Sequence, residues 1–437
     1  MRAIYTLLWY LALPLLPLRL LWRGRRESGY REHVGERYGR YHGAVPQPVL
    51  WVHAVSLGET RAAAPLVDRL RRAHPGATVL LTHMTATGRA GGRALFGDSV
   101  VQAWLPYDAP FAVRAFLAHF KPRAGLIMET ELWPNLVALA HAAEVPLYLV
   151  NARMSARSAR GYARVPSLAR PMLAALSGVA AQTQIDAKRL ADLGAPSPVV
   201  TGNLKFDAST PDGMEALGRE FRVRFGAARP VWVAASTRDG EEAMLLDALA
   251  TTPLPPGTVT VIVPRHPQRF AVVAELLRQR GMPFVRRSGN APVPADIDIV
   301  LGDSMGEMPG YFTAADVAFV GGSLLPLGGQ NLIEPISMGR PTFIGPHMFN
   351  FAEAAAGAVA AGAAIEVADA PALLGAVAQL LDDAPRRAAM RANALAFHAE
   401  HRGAADRLWT WLSPRIAAAI EGRRPSSGGD VSPSAGG

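Results

Sequence analysis

The sequence contains no cysteine. Disulfides, thiolate zinc sites and a cysteine nucleophile are therefore excluded. Lysine is nearly as scarce. Of 45 Lys and Arg residues, only Lys121, Lys188 and Lys205 are lysines. A lysine inside a motif here marks a position where a compact ammonium is wanted in place of a guanidinium. No G-x-G-x-x-G and no G-x-x-x-x-G-K-[ST] occurs, so NAD and Walker-type ATP sites have no support. The histidines are scattered without ligand spacing, and no essential metal or other cofactor is expected. Asp296-Ile-Asp298 has the outline of a metal-binding D-x-D, but it runs directly into an apolar strand and reads as a strand edge.

Negative charge is in the minority. Against those 45 basic residues stand 36 acidic ones, for a formal net charge of +9 and a pI of about 10.2. Such a balance favours anionic partners: nucleic acid, phospholipid headgroups or phosphorylated substrates. No basic–aromatic element of a nucleic-acid binder is present, so nucleic acid is not expected as a partner.

What is abundant is apolar sequence. The 437 residues are 50% hydrophobic, and a chain of this length suits two domains of roughly 150–200 residues each. Residues 4–22 (IYTLLWYLALPLLPLRLLW) carry Arg19 as their only charge, and Arg23, Arg25 and Arg26 follow. A secretory signal would place its charge before the apolar run and a small-residue cleavage site after it. The order here predicts a retained anchor, either spanning or lying in the interface, with the arginines at anionic headgroups. Pro14 and Pro17 are expected to bend it.

From residue 49 short apolar runs alternate with helical stretches: 49–55, 78–85, 100–106, 125–130, 146–152, 178–183 and 198–204, then 230–236, 258–266, 296–302, 317–323 and 341–346. Continuous apolar strands separated by helices predict parallel sheets covered on both faces. Two such series predict an α/β protein of two Rossmann-like doubly wound domains, with ligands at the carboxyl ends of the strands in a cleft between them. The expected division is 1–28 anchor helix and basic flank, 29–206 N-terminal domain, 207–421 C-terminal domain, and 422–437 disordered tail.

Four strand-end motifs carry candidate chemistry. In HAVSLGET (53–60) Glu59 sits near a helix N-terminus. Ser56-x-x-Glu59 is a capping box, which gives the glutamate a purely structural use, and a helix N-terminus favours the ionised carboxylate. In METELWPNL (128–136) Glu129 and Glu131 stand two apart. A second carboxylate near Glu59 would raise its pKa and restore basicity. Capping of the helix that begins near Pro134 accounts well for one of the two and less well for both. In TGNLKFD (201–207) Lys205 stands at the junction of the two halves, where an ammonium can stabilise a carboxylate or phosphate of a ligand in the cleft; the structural alternative is a surface lysine. In the second half Arg265 and His266 end a strand, Met305, Gly306 and Glu307 follow another, and GGQNLIEP (328–335) opens a helix. Backbone N–H groups at that helix start make a phosphate site, with Asn331, Leu332 and Ile333 leading to Glu334 about one turn in.

Together these motifs resemble the bacterial 3-deoxy-D-manno-octulosonic acid (Kdo) transferase family, from the N-terminal segment to about residue 412. GERYG (35–39), NARMSARS (151–158), PRHPQRF (264–270), GDSMGEM (302–308), FVGGSL (319–324) and GPHMFNF (345–351) add to the match. The resemblance implies a GT-B fold and transfer of Kdo from CMP-Kdo to the lipid A precursor, lipid IVA, in lipopolysaccharide biosynthesis. That reaction takes place at the cytoplasmic face of the inner membrane, with its phospholipids as a further partner. It implies Glu59 as the proton-accepting base, one of Glu129 and Glu131 as a transition-state stabiliser and Lys205 as a second. Arg265, His266, Met305 to Glu307 and Asn331 to Glu334 would bind CMP. A GT-B enzyme using a UDP-sugar on a lipid acceptor is the alternative.

Overall fold

The computed structural model describes residues 1–25, 27–208 and 210–423. Arg26 of the basic flank, Ser209, and the expected disordered tail from residue 424 onward lie outside the described residues. The chain divides into two compact units, Met1–Ala208 together with Arg402–Gly437, and Ser209–His401.

The first unit is built on a seven-stranded sheet. Its strands are β1 (Val49–His53), β2 (Thr78–His83), β3 (Val101–Trp104), β4 (Pro122–Met128), β5 (Leu147–Ala152), β6 (Gly178–Ala181) and β7 (Val199–Val200). Their order is β3-β2-β1-β4-β5-β6-β7, and neighbouring strands run parallel. All five residues of β1 are buried, which is why the sequence shows an unbroken apolar run instead of alternation. Successive side chains of β1 enter opposite faces. Trp51 packs with Phe116, Phe120 and Leu149 on one side, and Leu50 and Val52 pack with Leu66, Leu70 and Val150 on the other.

That second face corrects the expected domain division. The helix Ala404–Ile420, assigned from sequence to the C-terminal domain, places Leu408, Leu412 and Ile416 in the same cluster as Leu50 and Val52. The chain returns to cover the first sheet, because that face needs an apolar lid. Asp207 accepts hydrogen bonds from the backbone N–H of Gly403 (2.7 Å) and Ala405 (2.6 Å), capping the returning helix.

The second unit contains β8 (Val231–Thr237), β9 (Val259–Pro264), β10 (Phe284–Arg286), β11 (Ile299–Leu301), β12 (Val317–Val320), β13 (Thr342–Ile344) and β14 (Ala364–Glu366). They run parallel in the order β10-β11-β9-β8-β12-β13-β14. β10 and β14 escape the sequence reading because each is only three residues long, with a charged end. In both sheets strand order reverses beside the first strand, at β1/β4 and at β8/β12. In open α/β sheets such switch points create the crevice that receives ligands.

The N-terminal segment forms helix over Arg2–Ala12 and Leu16–Arg23, joined by the tight turn Leu13–Leu15. Pro14 and Pro17 each fall in the first turn of a new helical piece, where a missing N–H is tolerated, and helicity carries through. Among the described residues this is the one helix long and apolar enough to cross a membrane, by length and composition alone.

Leu412 is fully buried under the first sheet. Leu412→Ala is expected to destabilise the unit by about 2–5 kcal/mol. Urea unfolding should show a lower midpoint at an unchanged slope.

Candidate active site

The carboxyl ends of β1 and β4, the switch-point pair, carry the two acidic motifs of the first unit. Ser56 caps the helix Leu57–Ala73, its Oγ accepting from the Glu59 N–H at 3.4 Å. The Glu59 carboxylate turns back over the same turn. Its Oε1 accepts from Ser56 Oγ and its Oε2 from the Val55 N–H, each at 2.9 Å. Ser56 therefore caps the helix, but the carboxylate reaches the Val55 N–H, one residue before the N-cap, in place of the N-cap N–H of a full capping box, and it is largely desolvated. Burial first, and the Glu129 charge second, push its pKa from 4.5 up to about 7, against the two hydrogen bonds that lower it. Glu131 adds a smaller push in the same direction.

Glu129 follows β4 directly, in a left-handed backbone conformation, φ 56°. For a non-glycine residue this costs about 1–3 kcal/mol. The bend aims its side chain at Lys205, whose Nζ donates to Glu129 Oε1 at 2.7 Å, both side chains being mostly buried. Glu131 accepts from Trp133 Nε1 at 3.2 Å, and burial raises its pKa. Neither glutamate caps the helix Pro134–Ala142. That task falls to Asp108, which accepts from the backbone N–H of Asn135 (2.9 Å) and Leu136 (2.7 Å).

Two positioning residues lay outside the sequence reading. Asn151, inside NARMSARS, is also left-handed (φ 51°), and its Oδ1 accepts from the Leu204 N–H at 2.9 Å. It thereby fixes the turn that carries Lys205, while Asp207 ties the other end of that turn to the returning helix. A left-handed asparagine in a strand leaves no periodicity signal. Asp108 lies in PYDAP, whose capped helix starts 26 residues later, beyond any local pattern. His53 of the first motif is buried, and burial holds it neutral with its pKa near 3. Its Nδ1 meets Thr82 Oγ1 at 2.9 Å, a core role.

In the second unit the loops after β8, β9 and β12 meet. Arg265 follows β9 and donates from Nε to Gln330 Oε1 at 3.2 Å. Its neighbour His266 is pushed below its ordinary pKa by burial, Arg238 and Arg265. The buried Glu241, unanticipated from sequence, accepts from the N–H groups of Gly322 (2.5 Å), Ser323 (3.0 Å), Leu324 (3.0 Å) and Arg238 (2.9 Å). A carboxylate of the protein thus already fills the nest behind FVGGSL. Glu307 pairs with Arg287 at 2.9 Å, Met305 is exposed, and Gly306 is left-handed with open space beside it.

The GGQNLIEP reading needs correction in detail. The helix is only Ile333–Ser337, with Glu334 in its first turn, and Asn331 Oδ1 accepts from the Ile333 N–H at 3.1 Å. Leu332 and Ile333 are buried core side chains, so only their backbones are available to a ligand. Among the described residues no cluster of three metal-ligating side chains occurs.

Two doubly wound parallel units of this order, with polar side chains gathered at their switch points, define a protein of the GT-B fold. Solved structures agree on that fold. Anabaena HepE in complex with UDP aligns with 85% of this chain and 100% of its own at a TM-score of 0.58, with 14% identity. A UDP-GlcNAc 2-epimerase from Neisseria meningitidis aligns with 83% and 99% at 0.57, with 16% identity. An epimerase among such neighbours means that fold alone does not name the reaction. The sequence relatives do. Residues 32–208 match the family 3-Deoxy-D-manno-octulosonic-acid transferase (kdotransferase). A 3-deoxy-D-manno-octulosonic acid transferase from Bordetella pertussis is 47% identical over 94% of this chain and 99% of its own. One from Haemophilus influenzae is 38% identical over 95% and 99%. The chain belongs to the Kdo transferase family of glycosyltransferases.

The raised pKa of Glu59 has a consequence for stability. Folding makes its carboxyl hold a proton more tightly, so the stability present below pH 4.5 is lost as pH rises through about 7. Glu59→Gln removes the charge and retains an acceptor for the Val55 N–H. The difference in unfolding midpoint between variant and parent should favour the variant more at pH 8 than at pH 5. Equal differences at the two pH values would contradict the burial argument.

Proposed function

We propose that the protein transfers Kdo from CMP-Kdo to the lipid A precursor with inversion, using Glu59 as general base and no metal. The observation that carries the reading is a carboxylate held near pH 7 by burial and by Glu129, at the carboxyl end of a switch-point strand. A carboxylate with the ordinary pKa is too weak a base to deprotonate a sugar hydroxyl well. One near 7 is still partly ionised at neutral pH and a stronger acceptor. Glu59 takes the hydroxyl proton as the oxygen attacks the anomeric carbon and CMP departs, so configuration inverts. Glu129 and Glu131 maintain its basicity. Lys205 balances the charge of Glu129 through their 2.7 Å ion pair. Its ammonium also stabilises negative charge that develops during transfer.

CMP is assigned to the second unit, with Arg265 and His266, the Met305–Glu307 turn, and Asn331 and Glu334 as contacts and the backbones of Leu332 and Ile333 completing the set. Arginine and the open turn at Gly306 suit a phosphate-bearing ligand. The exposed apolar residues Ile4, Leu7, Leu8, Leu11, Leu15, Leu18 and Leu21, with the exposed Arg19 and Arg25 beside them, suit an anionic bilayer. This helix attaches the protein to the cytoplasmic face of the inner membrane, where a lipid acceptor is met in place.

Glu59→Gln is expected to retain CMP-Kdo binding by calorimetry and to lose transfer by about 10²–10⁴-fold. Near-parental turnover would remove Glu59 from its role. The parent's kcat should fall on the acid side of an apparent pKa near 7, the value to which burial and Glu129 push Glu59. Transfer should also persist in excess EDTA, and CMP should compete with the donor where UDP does not. A loss restored by magnesium would overturn the metal-free mechanism.

A further inference from the structure

The N-terminal helix is not a loose tether. Its less exposed residues are Tyr5, Thr6, Trp9, Ala12, Leu13, Leu16 and Leu20, at intervals of one, three and four. One continuous face is therefore covered along nearly the whole length. One contact on that face is polar and specific: Thr6 Oγ1 donates to Asn135 Oδ1 at 3.0 Å. Tyr5 sits beside Asp108 on the same face. Asp108 and Asn135 are buried, and Asn135 Nδ2 donates to the Asp108 carbonyl at 2.7 Å. The same Asp108 caps the helix Pro134–Ala142. A pure membrane tether has no need of this socket.

The socket adjoins the Glu129–Trp133 loop. The Trp9 ring lies 5.9 Å from Trp133 and 5.9 Å from Tyr107, centroid to centroid. Trp133 in turn donates from Nε1 to Glu131 at 3.2 Å. The loop has little internal support. Glu129 N–H bonds Val150 at its start and Leu132 N–H bonds Thr130 within it. Its far end is held by the Asp108 cap, by Leu132 and Trp133 packed against the core of the first sheet, and by Trp9 against Trp133.

We propose that Trp9 and Trp133 are positioning residues for transfer, so that the N-terminal helix forms one wall of the acidic loop and couples seating at the bilayer to the placement of Glu131. The proposal rests on the reading of the Glu59 and Glu131 carboxylates given above. Aromatic contact supplies stiffness here. Trp9 packs against both Trp133 and Tyr107, and Trp133 holds Glu131 through its N–H. The helix thus has two jobs on two faces: an apolar outer face for lipid, and an inner face that is part of the site.

Three variants of the full-length protein test this in detergent micelles: Trp9→Ala, Trp9→Phe and Trp133→Phe. Trp9→Ala should lower kcat at saturating acceptor by roughly 10–100-fold, the scale of a displaced catalytic group. KM for CMP-Kdo and sedimentation with phosphatidylglycerol-containing vesicles should stay at parental values. Trp9→Phe, which keeps a ring against Trp133, should recover most of kcat. Trp133→Phe, which keeps the ring and removes the N–H, should lower kcat while unfolding at the parental temperature. A Trp9→Ala protein with parental kcat and a raised KM for the lipid acceptor would show that Trp9 serves membrane contact alone and overturn the proposal. Parental kcat in Trp133→Phe would overturn the link to Glu131. Glu59→Gln separates the two levels. If it is inactive while Trp9→Ala is normal, only the coupling fails; if it turns over normally, the underlying mechanism fails.

Discussion

Everything at the acidic end of the first unit follows from one constraint: three glutamates share a poorly hydrated region beside a single salt-bridged lysine. Lys205 pairs with Glu129 at 2.7 Å, which sets an ammonium directly against one of the three carboxylates. Glu59 then faces both burial and a fixed negative neighbour, and its pKa climbs to about 7. The hydrogen bonds from Val55 and Ser56 limit the climb. Removing the lysine would leave the Glu129 carboxylate beside Glu59 without its counter-ion, and removing the burial of Glu59 would leave an ordinary carboxylate. The capping role and the proton-accepting role of Glu59 are compatible because the cap is made by its two oxygens from one side, through ordinary 2.9 Å contacts.

The fold supplies this constraint through its switch points. β1 and β4 are adjacent in the sheet although separated by two strands in sequence, so their following loops open side by side. Left-handed residues then re-aim the chain where the strands end: Glu129 after β4, Asn151 in β5 and Ser236 in β8. Strain of this kind persists only where the surroundings impose it. Asn151 illustrates how: its backbone is bent so that its side-chain Oδ1 can accept from the Leu204 N–H, and through that turn hold Lys205. The second unit uses a different device at its β8/β12 switch point. Glu241 supplies a permanent carboxylate to four backbone N–H groups, which stiffens the loops that surround Arg265 and Gln330.

The sequence carried much of this, unevenly. Strands buried on both faces leave unbroken apolar runs, so β1, β4, β5, β8 and β9 were legible, whereas β10 and β14 were too short and too charged at one end to register. The cap at Ser56 and Glu59 was readable because it is a local pattern with a local partner. The cap made by Asp108 on a helix 26 residues away was not, and neither was the Glu241 nest, three of whose four donors, Gly322, Ser323 and Leu324, lie some 80 residues downstream. The return of the helix Ala404–Ile420 to the first sheet was invisible for the same reason. Its apolar stripe is evident in the sequence, but a stripe does not say which face it will cover.

By itself, then, the sequence determined the class of fold and the family, because apolar periodicity and contiguous motifs are local properties that survive without coordinates. It also determined that a rare lysine and three glutamates were available. Tertiary structure decided what those groups are. It paired Lys205 with Glu129 in place of leaving it at the surface, and gave the Pro134 helix to Asp108 so that both glutamates of METE were free of it. It buried Leu332 and Ile333, and it laid the N-terminal helix against Trp133. The physical reason is that protonation state and side-chain placement depend on desolvation and on neighbours distant in sequence, and both exist only once the chain has closed on itself.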